Sequence, residues 1–179
     1  VLDRVPDRQA PIALLDFGAG TGCLLLALLS ELSQARGIGI DLNPGAVATA
    51  AENAAALDLA ARAEFRSGDW GQGLDGAYDI IVSNPPYIEA AAIPRLEPEV
   101  ACHDPHAALD GGIDGLDAYR ALAPDAFRLL KPGGFLALEI GQGQGDSVRT
   151  LTTGQGLANS GSRSDLAGIE RCLLFERVS

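Results

Sequence analysis

The feature that most constrains the fold is a turn of alternating glycines, Gly18-Ala-Gly20-Thr-Gly22, set between two apolar segments. Residues 12–17 before it have the length of a buried strand, and the segment after it stays apolar to about Ser33, the length of a helix. A strand that turns through glycines straight into a helix leaves bare backbone and free helix N–H groups at the strand's carboxyl end, where open α/β sheets bind ligands. The rest of the chain keeps the alternation. Residues 38–42 read as a second strand, residues 44–59 as an alanine-rich helix with Pro44 near its start and Asn43 as N-cap, and residues 64–67 and 78–83 as two further strands. A helix over about residues 116–130 meets a stop at Lys131-Pro-Gly-Gly134, and residues 135–140 form the fifth strand. Less regular are a helix around 146–153, a weak strand near 157–162 and a last strand at 172–177. The pattern predicts one α/β domain with a mostly parallel sheet of seven strands and helices on both faces.

Asp16 precedes the turn and makes the pattern D-x-G-x-G-x-G, in which the third glycine comes one residue earlier than in the G-x-G-x-x-G of dinucleotide sites. Asp41, ending the second strand, is placed to accept from both hydroxyls of a ribose, which either a dinucleotide or S-adenosyl-L-methionine offers. Gly68-Asp69-Trp70 follows the third strand, where Asp69 can accept from an adenine amino group and Trp70 can shield the ring. The candidate cofactor-binding residues are Asp16, Gly18, Ala19, Gly20, Gly22, Asp41, Leu42, Asp69, Trp70 and Asn84. Against this stands tight helix–strand packing, which also selects glycine.

Asn84-Pro85-Pro86-Tyr87 follows the apolar run 78–83 directly, so it too sits at a strand's carboxyl end. Two prolines hold φ near −65° and push the residues before them to extended conformations, which fixes the Asn84 side chain and the Pro85 carbonyl side by side. Two fixed acceptors suit a planar amide or aryl NH2 group, which has two N–H donors in one plane. Such a grip locates the nitrogen and leaves a face open to an incoming methyl group. An amide N–H is too weak an acid for a side chain to deprotonate, so the matching chemistry is direct displacement on a sulfonium methyl, helped by positioning and fixed dipoles. Asn84, Pro85 and Tyr87 are the candidate catalytic residues, and Asn84, Pro85, Pro86 and Tyr87 the candidate substrate grip, with Tyr87 an apolar wall whose ring face favours a cation.

The 179 residues form one domain, expected to bury roughly 70% of its unfolded surface. A net charge of −11 argues against a nucleic-acid footprint, which needs clustered Lys and Arg. The longest apolar stretch, residues 23–29, is too short to span a bilayer, and no basic-then-apolar leader precedes it, so no membrane partner and a cytoplasmic location are expected. Cys23, Cys102 and Cys172 are widely spaced and odd in number, which predicts neither a disulfide framework nor a CxxC metal site. Cys102, His103 and His106 lack zinc-finger spacing and a fourth ligand; Asp110, Asp114 and Asp117 lack the glycine and glutamate of an EF-hand loop and are read as punctuating turns and capping the next helix. No metal site is expected. The stretch 90–115, with Pro94, Pro98 and Pro105, is too long for an ordinary connection and is expected to be functional or mobile. A start at Val1 and the absence of methionine predict a piece of a longer product.

Taken together, Asp16-Phe-Gly-Ala-Gly-Thr-Gly22, Gly68-Asp-Trp70, Ser83-Asn-Pro-Pro-Tyr-Ile88, the stretch 108–115, Lys131-Pro-Gly-Gly134, Glu139-Ile-Gly141 with Gln144, and Asp165-Leu-Ala-Gly168 with Arg171 resemble the HemK family of protein glutamine methyltransferases, nearly end to end. The resemblance implies a Rossmann-like class I methyltransferase fold, S-adenosyl-L-methionine as cofactor, and the glutamine of the Gly-Gly-Gln motif in peptide-chain release factors as substrate. It also implies that residues 1–179 are the catalytic domain, without the helical docking domain that precedes it in the family. Asp104-Pro105 stands where the family has Glu-Pro. Rival readings are a ribosomal-protein glutamine methyltransferase, a nucleic-acid amino-group methyltransferase, a cofactor-binding module inactive without its missing domain, and, last, a dinucleotide oxidoreductase.

Overall fold

The computed structural model describes residues 1–95 and 106–178. Seven strands form one sheet: β1 (Ala13–Phe17), β2 (Arg36–Asp41), β3 (Ala63–Ser67), β4 (Tyr78–Ser83), β5 (Leu130–Glu139), β6 (Ala158–Ser164) and β7 (Glu170–Glu176), in the order β3-β2-β1-β4-β5-β7-β6. All neighbours through β5 run parallel, and β7 runs antiparallel to both β5 and β6. The principal helices are α1 (Cys23–Glu31), α2 (Pro44–Ala56), α3 (Asp117–Leu129) and α4 (Gly145–Gly154). Strand order reverses between β1 and β4, so the carboxyl ends of these two strands open a crevice.

Side chains that alternate along each strand divide the core in two. On one face Leu15, Ile81, Leu136 and Leu138 pack with Tyr119, Leu122 and Ala126 of α3 and Val148 of α4. On the other, Leu14, Ile80, Val82 and Ala137 pack with Leu25, Leu26 and Leu29 of α1 and Ala54 of α2. The glycines of β2 admit this packing: a Cβ on Gly39 would stand 2.5 Å from Phe65 Cδ1 and 2.9 Å from Ala19 Cβ. Asn43 caps α2 as its position predicts, its Oδ1 accepting from Gly45 N–H at 2.9 Å.

The stop expected at Lys131-Pro-Gly-Gly134 holds for the helix, since α3 ends at Leu129, but the expected start of the fifth strand at residue 135 is corrected. β5 already begins at Leu130, and the four residues form a bulge: Tyr78 pairs with Leu130, but Ile80 pairs with Phe135. Pro132 has no N–H for the ladder and Gly133 has φ +79°, so the backbone leaves β4 and turns to β7's end, where Gly133 N–H donates to Arg177 O at 2.7 Å and Arg177 N–H to Gly134 O at 3.0 Å. Below it, Lys131 Nζ pairs with Asp79 at 2.8 Å, and Asp79 Oδ2 accepts from Ala13 N–H at 2.8 Å.

In the described part of 90–115, a 3₁₀ turn covers Ile93–Arg95 and a helical turn His106–Leu109, and Ile88 bridges Asp110. Asp110 Oδ1 accepts from Gly112 N–H and Asp114 Oδ1 from Leu116 N–H, both closing turns as expected, but α3 has Leu116 as its N-cap residue and no side-chain cap. Pro98, Cys102, His103, Asp104 and Pro105 lie outside the described residues, as does the side chain of His106. Among the described residues no helix is long and apolar enough to cross a membrane, and no group of three His, Cys, Asp or Glu side chains is arranged to hold a metal.

Candidate active site

The glycine turn begins where β1 stops. Gly18, Gly20 and Gly22 have φ of +68°, +54° and +84°, which only glycine adopts without strain. Gly18 and Ala19 both donate their N–H groups to Ile40 O, at 2.9 and 3.0 Å, and so tie the turn to β2. Asp41 secures it from the side: Oδ2 accepts from Gly20 N–H at 2.8 Å and Oδ1 from Asn43 N–H at 2.8 Å. Each carboxylate oxygen still has a lone pair to offer.

Between this turn, the end of β2 and the end of β4 lies a cavity of about 330 Å³. Gly18, Gly20, Asp41, Leu42, Trp70, Asn84 and Pro86, all singled out from the sequence, line it. So do Gly68, which the motif contained, and Thr21, Ile40, Asn43, Ala46 and Ala108, which sequence reasoning missed as wall residues. Asn43 combines its capping role with a place on the wall. Ala46 is in the first turn of α2, where a small side chain beside the crevice was the available signal. Leu42 is 70% exposed, an apolar surface on the cavity wall. Trp70 has φ +49°, rare for a side chain of its bulk, and stands edge-on to Phe17 at 6.2 Å between centroids.

Other expected residues do not reach the wall. Ala19 and Gly22 shape the turn from behind. Asp69 is exposed and its Oδ2 accepts from Gln72 Nε2 at 2.7 Å, so its carboxylate is turned to its own loop. Asp16 is buried beneath the turn at 1% exposure, with Oδ2 unpartnered among the described residues. Burial, the largest cause, and the nearby Asp41 charge raise its pKa from 3.8 to about 8, against a lowering hydrogen bond from the Leu25 backbone.

β4 delivers the second motif. Ser83 Oγ donates to Phe17 O at 2.7 Å, which joins the ends of β4 and β1 and places Asn84 across from Gly18. Asn84 is exposed and forms no side-chain hydrogen bond among the described residues, whereas Pro85 is buried and Pro86 faces the cavity. Tyr87 and Pro85 are not on the cavity wall. The Tyr87 hydroxyl donates to Glu139 Oε1 at 3.3 Å; burial first, then the Glu139 charge, raises its pKa above the usual phenol value. The arrangement is a nucleotide-sized cavity with a free carboxamide at its rim.

This sheet order, with its one reversed strand and its cavity at the switch point, defines a Rossmann-like class I methyltransferase fold. A solved methyltransferase from Pyrococcus furiosus has the same fold, with a TM-score of 0.70 and 15% identity over 96% of this chain and 77% of that one. Residues 9–166 match the family described as "Methyltransferase domain", and the chain belongs to that family. It is 54% identical over 164 residues to the release factor glutamine methyltransferase of Rhodospirillum rubrum, covering 92% of this chain and 50% of that protein. The protein of the same name in Caulobacter vibrioides is 48% identical over 175 residues, 97% of this chain and 60% of its own length. The family resemblance read from the motifs is borne out, and the chain spans about half the length of these relatives.

Proposed function

We propose that this chain is the catalytic domain, residues 1–179, of a release factor glutamine methyltransferase, transferring a methyl group from S-adenosyl-L-methionine to the side-chain amide nitrogen of the glutamine in a Gly-Gly-Gln motif. The observation that carries the reading is Asn84, an exposed carboxamide without a side-chain partner among the described residues, at the rim of the switch-point cavity. The names of the relatives support the substrate.

The cavity fits the cofactor. No Cβ intrudes from Gly18 or Gly20, and Asp41 offers acceptors to ribose hydroxyls, with Leu42, Ile40 and Ala46 as apolar walls for the base. When bound, S-adenosyl-L-methionine supplies an electrophilic sulfonium methyl, which the amide nitrogen takes as the sulfur leaves neutral and one N–H proton passes to solvent. Asn84 Oδ1 and the Pro85 carbonyl accept from the substrate NH2 group and orient its nitrogen towards the cavity. The prolines hold both acceptors in place before the substrate arrives, so little reorganisation is needed during transfer.

Incubation with S-adenosyl-L-methionine and a Gly-Gly-Gln peptide, read by mass spectrometry, is expected to place one methyl group on the glutamine amide. A Gly-Gly-Glu peptide has no reacting nitrogen and is expected to gain none. Equal labelling of both peptides would overturn the proposal.

A further inference from the structure

Gln144, directly before α4, puts its side-chain amide where three segments meet. Nε2 donates to Tyr87 O at 3.0 Å and to Gly115 O at 3.2 Å, while Oε1 accepts from Gly141 N–H at 2.9 Å and faces the Tyr119 hydroxyl at 3.5 Å. Both amide hydrogens are used, and the oxygen accepts from Gly141, while the Tyr119 hydroxyl beside it gives its one hydrogen to Glu139 O at 3.0 Å. Two glycines keep the space open. A Cβ on Gly115 would lie 2.5 Å from both Gln144 Nε2 and Tyr87 O, and one on Gly141 would lie 2.7 Å from Gln144 Oε1. Such close approach at two separate positions means the segments are packed around this one carboxamide.

Tyr87 is the downstream end of the Asn84-Pro-Pro-Tyr87 loop. Its upstream end is tied by Ser83 to β1 at 2.7 Å, and beyond Tyr87 the backbone pairs with the neighbouring segment, Ile88 N–H to Leu109 O at 3.0 Å and Gly111 N–H to Ile88 O at 2.8 Å. The prolines restrict torsions inside the loop but do not hold its far end to the sheet. Two contacts do: the Tyr87 hydroxyl reaches Glu139 of β5 at 3.3 Å, and Gln144 holds the backbone itself, through Tyr87 O on one side and Gly141, just past β5, on the other. It does not line the cavity.

The geometry points to Gln144 as a positioning residue for methyl transfer, pinning the Tyr87 carbonyl so that Asn84 and Pro85 stay aimed at the reacting nitrogen; this rests on the glutamine-methylating reading above. Gln144→Met keeps the length and bulk of the side chain and removes its donors and acceptor. Gln144→Glu, which keeps the acceptor for Gly141 and loses the donors to Tyr87 and Gly115, serves if the Met variant does not fold.

Two measurements decide it. Amide hydrogen exchange needs no substrate: Ile88 and Gly111 are expected to exchange at least about tenfold faster in the variant, with Leu15 and Ile81 in the central strands unchanged. Unaltered exchange at Ile88 and Gly111 would overturn the pinning role whatever the chain methylates. On the Gly-Gly-Gln peptide, Gln144→Met is expected to lower kcat roughly thirtyfold with cofactor affinity within about twofold. In an Asn84→Ala background the same substitution is expected to cost less than about threefold, because the acceptor it positions is gone. An equal loss in both backgrounds would mark a merely structural residue and overturn the inference. If the wild-type chain leaves the peptide unmethylated, the substrate reading fails, and the exchange comparison still decides the Gln144 role.

Discussion

The Asp41 carboxylate accepts from the Gly20 backbone N–H at 2.8 Å, joining the end of β2 to the glycine turn in the cavity wall. The residue expected to hold a ribose therefore also shapes the turn that the ribose would rest on. Asp41→Ala is expected to weaken S-adenosyl-L-methionine binding by about 1.5–3 kcal/mol, the range for hydrogen bonds to a charged group. Asp41→Asn keeps an acceptor for Gly20 and loses the charge, so it should fall between. Calorimetry that found unchanged affinity in the alanine variant would remove Asp41 from the cofactor site.

Asn84 separates binding from chemistry. Asn84→Ala is expected to leave cofactor affinity nearly intact and to cut turnover by roughly a hundredfold, since it deletes an oriented acceptor at the reacting nitrogen. Asn84→Asp keeps an acceptor and adds a charge that can strengthen the ground-state hold on a sulfonium. Peptide methylation at the normal rate by the alanine variant would sink the mechanism.

The glycines of β2 and of the turn serve different ends, and alanine substitution separates them. Gly39→Ala drives a Cβ to 2.5 Å from Phe65 Cδ1 and 2.9 Å from Ala19 Cβ and is expected to cost about 1–3 kcal/mol of stability by overpacking. Gly20→Ala meets no atom within 4 Å but sits at φ +54°, so its cost is backbone strain of about 1–2 kcal/mol. Urea unfolding of both variants tests this; wild-type stability in Gly39→Ala would show that β2 has slack the packing denies.

Most of the site was legible because glycine and proline patterns report backbone geometry directly. Gly18, Gly20 and Asn84-Pro85-Pro86 landed at the two strand ends that flank the switch point, as their spacing predicts. What escaped depends on contacts distant in sequence. Lys131-Pro-Gly-Gly134 reads locally as a stop, which it is for α3, and only pairing with Arg177, just past β7, makes it a bulge within β5 as well. Asp16 and Asp69 are acids beside a nucleotide turn, yet one is packed beneath it and the other bonds to Gln72; no local pattern reveals which way a carboxylate turns. Ala46 and Ala108 line the cavity because they are small, a property shared with alanines throughout the chain.

Asp16 makes stability depend on pH with a definite sign. Its folded-state pKa is raised from 3.8 to about 8, chiefly by burial, so between those values the folded chain holds a proton that the unfolded chain has lost. The stability that proton linkage contributes is fully present below about pH 4 and is lost as pH rises towards 8, with a slope of at most about 1.4 kcal/mol per unit. Asn cannot ionise and keeps an oxygen for the Leu25 backbone, so Asp16→Asn should remove this slope while every other group titrates as before. Urea unfolding at pH 5 and pH 8.5 is expected to show the Asn variant gaining on wild type as the pH rises, because only the wild type must then bury a charge. If the difference between the two proteins stays constant across that window, Asp16 is already ionised in the folded chain, and a partner for Oδ2 must be supplied by something other than the described side chains.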